Sequence, residues 1–154
     1  MTENLTENIT ELCGSITEKF VEKAAIKQPE QLSGLTLAYI GDGFYELVVR
    51  NHLLAAGVRK VDDLHKQAIG LVRAAAQARL IHQLEPELTE FELAVYHRGR
   101  NAKGQHIPKG ATVAEYRAAT GLEALVGYWY LVGADDRLSR CFEVLWQQEE
   151  DKNA

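Results

Sequence analysis

Apolar residues recur at three- and four-residue steps along most of this chain, the spacing that lines one face of an α-helix. Ile9, Leu12, Cys13, Ile16, Phe20 and Val21 predict an amphipathic helix running to about Ala25, and Pro29 breaks it. A second helix, rich in Leu, Val and Ala, is expected from Leu35 to about Ala56, with Gly57 as its stop. Leu64, Ala68, Leu71, Ala75, Ala78 and Ile81 share a face of a third, Leu64 to Leu84, which Pro86 ends. Thr89 and Glu92 have the spacing of a capping box and open a short fourth helix to about His97. Thr112 and Glu115 repeat that signature at the head of a helical region over 112–133, in which Gly121 is a candidate break; a last helix covers 136–149. No stretch sustains two-residue alternation, so strands are not expected. The pattern predicts an all-α bundle with one long loop between His97 and Gly110.

At 154 residues, 46% hydrophobic and 25% charged, the chain has the length and composition of one globular domain, which excludes wholesale disorder. No apolar run approaches the roughly 20 residues of a membrane helix. The opening MTENLTENITEL has glutamates and no basic cluster, unlike a secretory signal or transit peptide. Cys13 and Cys141 are too few for a disulfide framework or a four-ligand zinc site. A cytoplasmic protein with reduced thiols is the expectation.

The net charge of −5 at first argues against a nucleic-acid partner, but its distribution argues otherwise. Residues 1–57 carry 4 Lys/Arg and 8 Asp/Glu, residues 58–117 carry 10 and 7, and residues 118–154 carry 3 and 7. The middle is basic between two acidic flanks. Within it, His97 to Gly110 holds Arg98, Arg100, Lys103 and Lys109 and no acid. A solvated surface loop explains this as well as a phosphate-binding one, in which Arg and Lys release counterions from a nucleic-acid backbone.

Two carboxylates stand in apolar surroundings. Asp42 sits between Gly41 and Gly43 in a core-like run, and Glu123 is the one charged residue in the seventeen from Ala118 to Ala134. A carboxylate buried without a partner is costly, so each must be paired, protonated or bound to a cation. Pairing with a nearby Arg or Lys is one answer. If the two helices pack together, convergence on one divalent cation is the other. Oxygen-only ligation suits Mg2+, which keeps several waters and can activate one for attack on a phosphodiester.

At these residues the chain resembles the ribonuclease III superfamily, whose signature pairs Gly-Asp on one helix with Glu-Ala-Leu-(Ile/Val)-Gly on another. Tyr39-Ile40-Gly41-Asp42 and Leu122-Glu123-Ala124-Leu125-Val126-Gly127 match it. Tyr45-Glu46, Arg98 to Lys103, Pro108-Lys109, Tyr116-Arg117 and Ala119-Thr120-Gly121 resemble, in order, its small Mini-ribonuclease III branch, which lacks the double-stranded-RNA-binding domain. The resemblance spans roughly residues 30–145. It implies an N-terminal extension over 1–28, partly helical, a catalytic domain over 29–149 and a short tail over 150–154.

By that resemblance Asp42 and Glu123 are the catalytic, metal-binding carboxylates. Two further acids of the general family are Ala38 and Thr120 here, which reduces the protein ligands to two. Glu46, one helical turn beyond Asp42, is a candidate for supporting the site or for pairing with a basic side chain. The resemblance further implies a homodimer with one metal site per subunit, cleaving double-stranded RNA to leave 5′-phosphate and 3′-hydroxyl ends. Precursor large-subunit (23S) ribosomal RNA is the expected substrate, with a ribosomal protein as a possible companion. Arg98, Arg100, Lys103 and Lys109 are the candidate RNA contacts, with Arg73 and Arg79 as further ones that an exposed helix face would also explain. The Tyr128-Trp129-Tyr130 segment offers itself either as dimer interface or as core. The five histidines fall in no zinc or HExxH spacing, and no GxSxG elbow appears. The missing acids at 38 and 120 leave one alternative of a different class, a catalytically inactive double-stranded-RNA-binding dimer.

Overall fold

The computed structural model describes residues 22–103 and 106–153. Six helices account for most of them: α1 (Gly34–Ala55), α2 (Val61–Val72), α3 (Ala74–Leu84), α4 (Glu90–Arg100), α5 (Val113–Val132) and α6 (Asp135–Asn153). No strand occurs among the described residues, as the periodicity predicts. The predicted helix over residues 9–25 lies outside them apart from its end, where Lys23–Ala25 form a 3-10 turn.

The starts of three helices are set locally. The Ser33 side chain accepts from the Thr36 N–H at 3.1 Å, and both predicted capping boxes are formed, by Thr89 with Glu92 and by Thr112 with Glu115. Each satisfies N–H groups that a helix start leaves open.

α5 is the centre of the bundle: Leu122, Ala124, Leu125 and Val126 are wholly buried, and α1, α3 and α4 pack around it. Its approach to α1 is backbone against backbone. A Cβ at Gly41 would overlap the Glu123 carbonyl, and one at Gly127 would overlap the Leu37 carbonyl. The remaining core comes from the apolar faces of α1, α3 and α6, with Tyr45, Leu80, Leu138 and Phe142 fully enclosed. Burial pushes the Cys141 thiol up to about 12, so this cysteine packs as an inert apolar group.

A buried acid that sequence reading takes only as a cap ties three helices. Glu92 bonds its own cap, accepts from Trp129 Nε1 at 2.7 Å and forms an ion pair with Arg137 at 2.6 Å. Desolvation would raise its pKa, but the Arg137, Thr89 and Trp129 hydrogen bonds outweigh it and hold the carboxyl below its usual range.

Four expectations need correction. The single helix over 64–84 is two, because Arg73 adopts an extended ψ of 154° and restarts the chain. Gly121 does not interrupt α5: it gives the Tyr96 ring and carbonyl room to approach. The basic loop begins at Asn101 rather than His97, since Gly99 also serves close packing, against Thr120 and Ala124, inside the last turn of α4. The last helix runs on to Asn153 instead of ending near 149, so most of the expected tail is helical. Trp129 and Tyr130 are core, Tyr130 lying 5.0 Å from the Phe44 ring.

Gly41→Ala or Gly127→Ala should destabilise the fold by roughly 3 kcal/mol or more, since backbone cannot yield as a side chain does. Gly70→Ala, in α2 with nothing within 4 Å of a new Cβ, should stabilise it by about 0.5–1 kcal/mol. Urea unfolding of the three variants measures the contrast.

Candidate active site

The Gly41 contact sets the register of two side chains. Asp42 follows it on α1, and Glu123 is the residue on α5 whose carbonyl Gly41 meets. Their carboxyl groups come close enough to share a hydrogen bond. The sequence places both acids in apolar runs, but the structure treats them differently. Asp42 is exposed, beside Tyr39 and Gly43 on the open face of α1, and so is not the buried acid its neighbours suggest. Glu123 is only partly exposed and bears the desolvation.

Among the described residues no cation forms an ion pair with that desolvated acid. Burial first, then the Asp42 charge and hydrogen bond, then the Glu46 charge, push the Glu123 carboxyl up to about 8. Neither acid is locked against an arginine, the outcome that would have made the pair structural. Glu46 pairs with Arg50 at 3.1 Å, and its charge adds to the upward shift of Glu123.

Two repelling oxygen ligands on rigid helices, one half out of water, fit a hard divalent cation, which would remove the repulsion. Among the described residues no group of three or more His, Cys, Asp or Glu converges, so an ion held there would have few protein ligands and would need water to complete its sphere. At the two positions where a further acid would enrich the site, Ala38 and Thr120 are buried, and the Thr120 hydroxyl donates to the Tyr116 carbonyl at 3.0 Å.

The basic candidates divide. Arg73 and Lys109 line a cavity of about 440 Å³ that also contains Glu123. Arg79 and Arg100 line a neighbouring one of about 670 Å³, together with Arg117 and His82. Arg117, in the second turn of α5, belongs to the Tyr116-Arg117 match but is not among the RNA contacts expected from the sequence. Lys103 is exposed beyond the end of α4 and lines neither cavity. Arg98 differs again: its guanidinium donates to the Glu30 and Leu32 carbonyls at 2.7 and 2.9 Å and clamps the segment leading into α1. His52 stacks on Trp146 at 3.7 Å, a packing role.

Comparison with known proteins agrees in kind. The Ribonuclease III domain model matches residues 35–134. The chain is 54% identical over 125 residues to the Mini-ribonuclease 3 of Desulfitobacterium hafniense, covering 80% of this chain and 79% of that one. It is 52% identical over 118 residues to that of Symbiobacterium thermophilum, covering 77% and 91%. A crystal structure of a Fusobacterium nucleatum protein superposes with a TM-score of 0.71 at 30% identity, covering 77% of this chain and 95% of that one.

The raised Glu123 carboxyl has a consequence for the metal-free protein. An acid whose folded-state pKa lies above its unfolded value contributes stability below the unfolded value and loses it as pH rises through the folded one. With chelator present, melting temperature should therefore fall as pH rises from about 5 to 9. Glu123→Gln should flatten that dependence and melt higher than the parent at pH 9.

Proposed function

The chain belongs to the Mini-ribonuclease 3 family of the ribonuclease III domain and is an endoribonuclease; from that premise we propose that it acts on both strands of double-stranded RNA through Asp42 and Glu123, as a homodimer dependent on Mg2+. The observation that carries this is the convergence of those two carboxyls with no ion pair to either among the described residues. Asp42 and Glu123 are the residues that would hold the ion. When bound, Mg2+ supplies charge neutralisation at the phosphodiester and lowers the pKa of a water poised for in-line attack. The products then carry 5′-phosphate and 3′-hydroxyl ends.

The chain's own residues do the rest. Arg73 and Lys109, on the cavity that holds Glu123, neutralise phosphates beside the cut. Arg79, Arg100 and Arg117, on the adjoining cavity, extend the positive track along the duplex, and the exposed Lys103 and the partly exposed Arg98 of the same basic segment are further candidate contacts. A-form RNA is read mainly by shape and backbone, which a track of this kind suits.

The dimer is supported by α1. Leu35 and Tyr39 expose apolar surface on the turns before Asp42, with Tyr39 at 83% exposure. A second copy packed on that surface about a two-fold axis would bring two carboxylate pairs to one groove, one for each strand. The buried Tyr128-Trp129-Tyr130 segment is not available for this except at Tyr128.

Trimming of precursor 23S ribosomal RNA in the cytoplasm, with a ribosomal protein on the substrate, is the biological setting we assign. No helix among the described residues is long and apolar enough to cross a membrane. The inactive-platform alternative rests on Ala38 and Thr120. The intact Asp42 and Glu123 favour the enzyme.

Incubation with a structured RNA duplex should give cleavage of both strands with Mg2+ and none with chelator. Asp42→Asn should lower cleavage by on the order of 10²-fold or more, about tenfold for each ~1.4 kcal/mol of transition-state stabilisation lost, while duplex binding persists. Binding with no cutting by the parent protein would support the platform instead. Arg73→Ala with Lys109→Ala should reduce the slope of log affinity against log salt by about 1–2 per site. Tyr39→Glu should dissociate the dimer in sedimentation and reduce cleavage with it.

A further inference from the structure

The cavity beside the carboxylate pair contains more than a metal site requires. Its wall is made by Glu123, Arg73, Ala74, Ala75, Gln77 and Lys109. The extended backbone at Arg73 restarts the helix at Ala74, and no side chain caps it. The N–H groups of Ala76 and Gln77 turn back to the Arg73 carbonyl at 3.0 and 3.1 Å. Those of Ala74 and Ala75, just ahead, have no acceptor among the described residues. Free N–H groups at the positive end of a helix are suited to an anion.

Gln77 is the second, independent feature. It is 2% exposed, yet its side-chain amide has no hydrogen-bond partner among the described residues. A side chain so enclosed rarely lacks a partner in the protein or in solvent, and Gln77 lines the cavity that holds Glu123. A phosphate oxygen only accepts hydrogen bonds, so the Ala74 and Ala75 N–H groups, with Arg73 and Lys109, match it. An amide both donates and accepts, which matches a hydroxyl. An RNA backbone presents those two groups side by side.

Resting on the reading of the chain as a double-strand-specific ribonuclease, we propose that this cavity seats one ribose-phosphate unit of the cut strand next to the scissile bond, its phosphate on the Ala74 and Ala75 N–H groups between Arg73 and Lys109 and its 2′-hydroxyl on the Gln77 amide. Gln77 is then the residue that tells ribose from deoxyribose at that nucleotide.

The test uses a set of RNA duplexes, each with a single 2′-deoxynucleotide at successive positions across the cut site. Binding is measured without metal, and cleavage with Mg2+. In the parent protein one position should show a loss of about tenfold in binding, the size of one hydrogen bond. Gln77→Leu and Gln77→Met should bind the all-RNA duplex about tenfold more weakly and be insensitive to deoxy substitution at that position alone. Retention of the full penalty in both variants, or an equal loss on every duplex, would show that Gln77 only packs and would overturn the seat. If the variants do not fold by circular dichroism, the parent protein answers alone. Its Gln77 side-chain amide resonance should shift on adding the all-RNA duplex and not the duplex deoxy at that position, and an unmoved resonance overturns the proposal. Binding coupled to Gln77 without strand cleavage keeps the seat and removes the nuclease reading. Cleavage without coupling does the reverse.

Discussion

The backbone contact between α1 and α5 is the constraint on which the rest of this protein depends. Gly41 faces the Glu123 carbonyl and Gly127 faces the Leu37 carbonyl, with no room for a Cβ at either glycine. Each glycine costs its helix about 1 kcal/mol relative to alanine, and the close packing must offset it. The approach fixes two rigid helices at one register, and that register brings Asp42 and Glu123 together. A site carried on packed helices is held more tightly than one on loops, which suits the placement of an ion between two ligands.

Two glutamates in apolar surroundings show how environment separates scaffold from site. Glu92 is buried with Arg137, the Trp129 indole N–H and its own cap N–H around it, and its carboxyl is held in the charged form. Glu123 is desolvated beside the Asp42 and Glu46 charges, and its carboxyl is pushed toward the neutral form. The first arrangement satisfies a buried charge and joins three helices. The second leaves repulsion in place until something positive arrives, a pattern typical of functional groups. The fold bears that instability at the place where we propose the ion binds.

The sequence disclosed the features with a local cause. Helical spacing and the Thr89 and Thr112 capping boxes depend on residues three and four apart, and they appear where expected. Features with a tertiary cause were hidden. Gly99 and Gly121 look like breakers, yet serve close packing between α4 and α5. The Arg73 break has no Gly or Pro to announce it, because the chain turns there to place two helices on α5. Arg98 has the charge of an RNA contact, but two backbone carbonyls far away in sequence claim it. The convergence of Asp42 and Glu123 could be suspected from their setting, whereas the difference in their exposure depends on which face of α1 is covered. Gln77 gave no sign of its position, since a glutamine one turn into a helix is ordinary until the cavity beside it is seen.

The central claim is that one divalent cation is shared by two acids brought together by a glycine contact. Anomalous diffraction from crystals soaked in Mn2+, a hard oxygen-seeking ion that stands in for Mg2+, examines it directly. The account predicts a manganese peak in each protomer bonded to carboxylate oxygens of both Asp42 and Glu123, with water completing its coordination. Manganese bound by only one of these residues, or seated elsewhere with the two carboxyls still sharing their hydrogen bond, would contradict it.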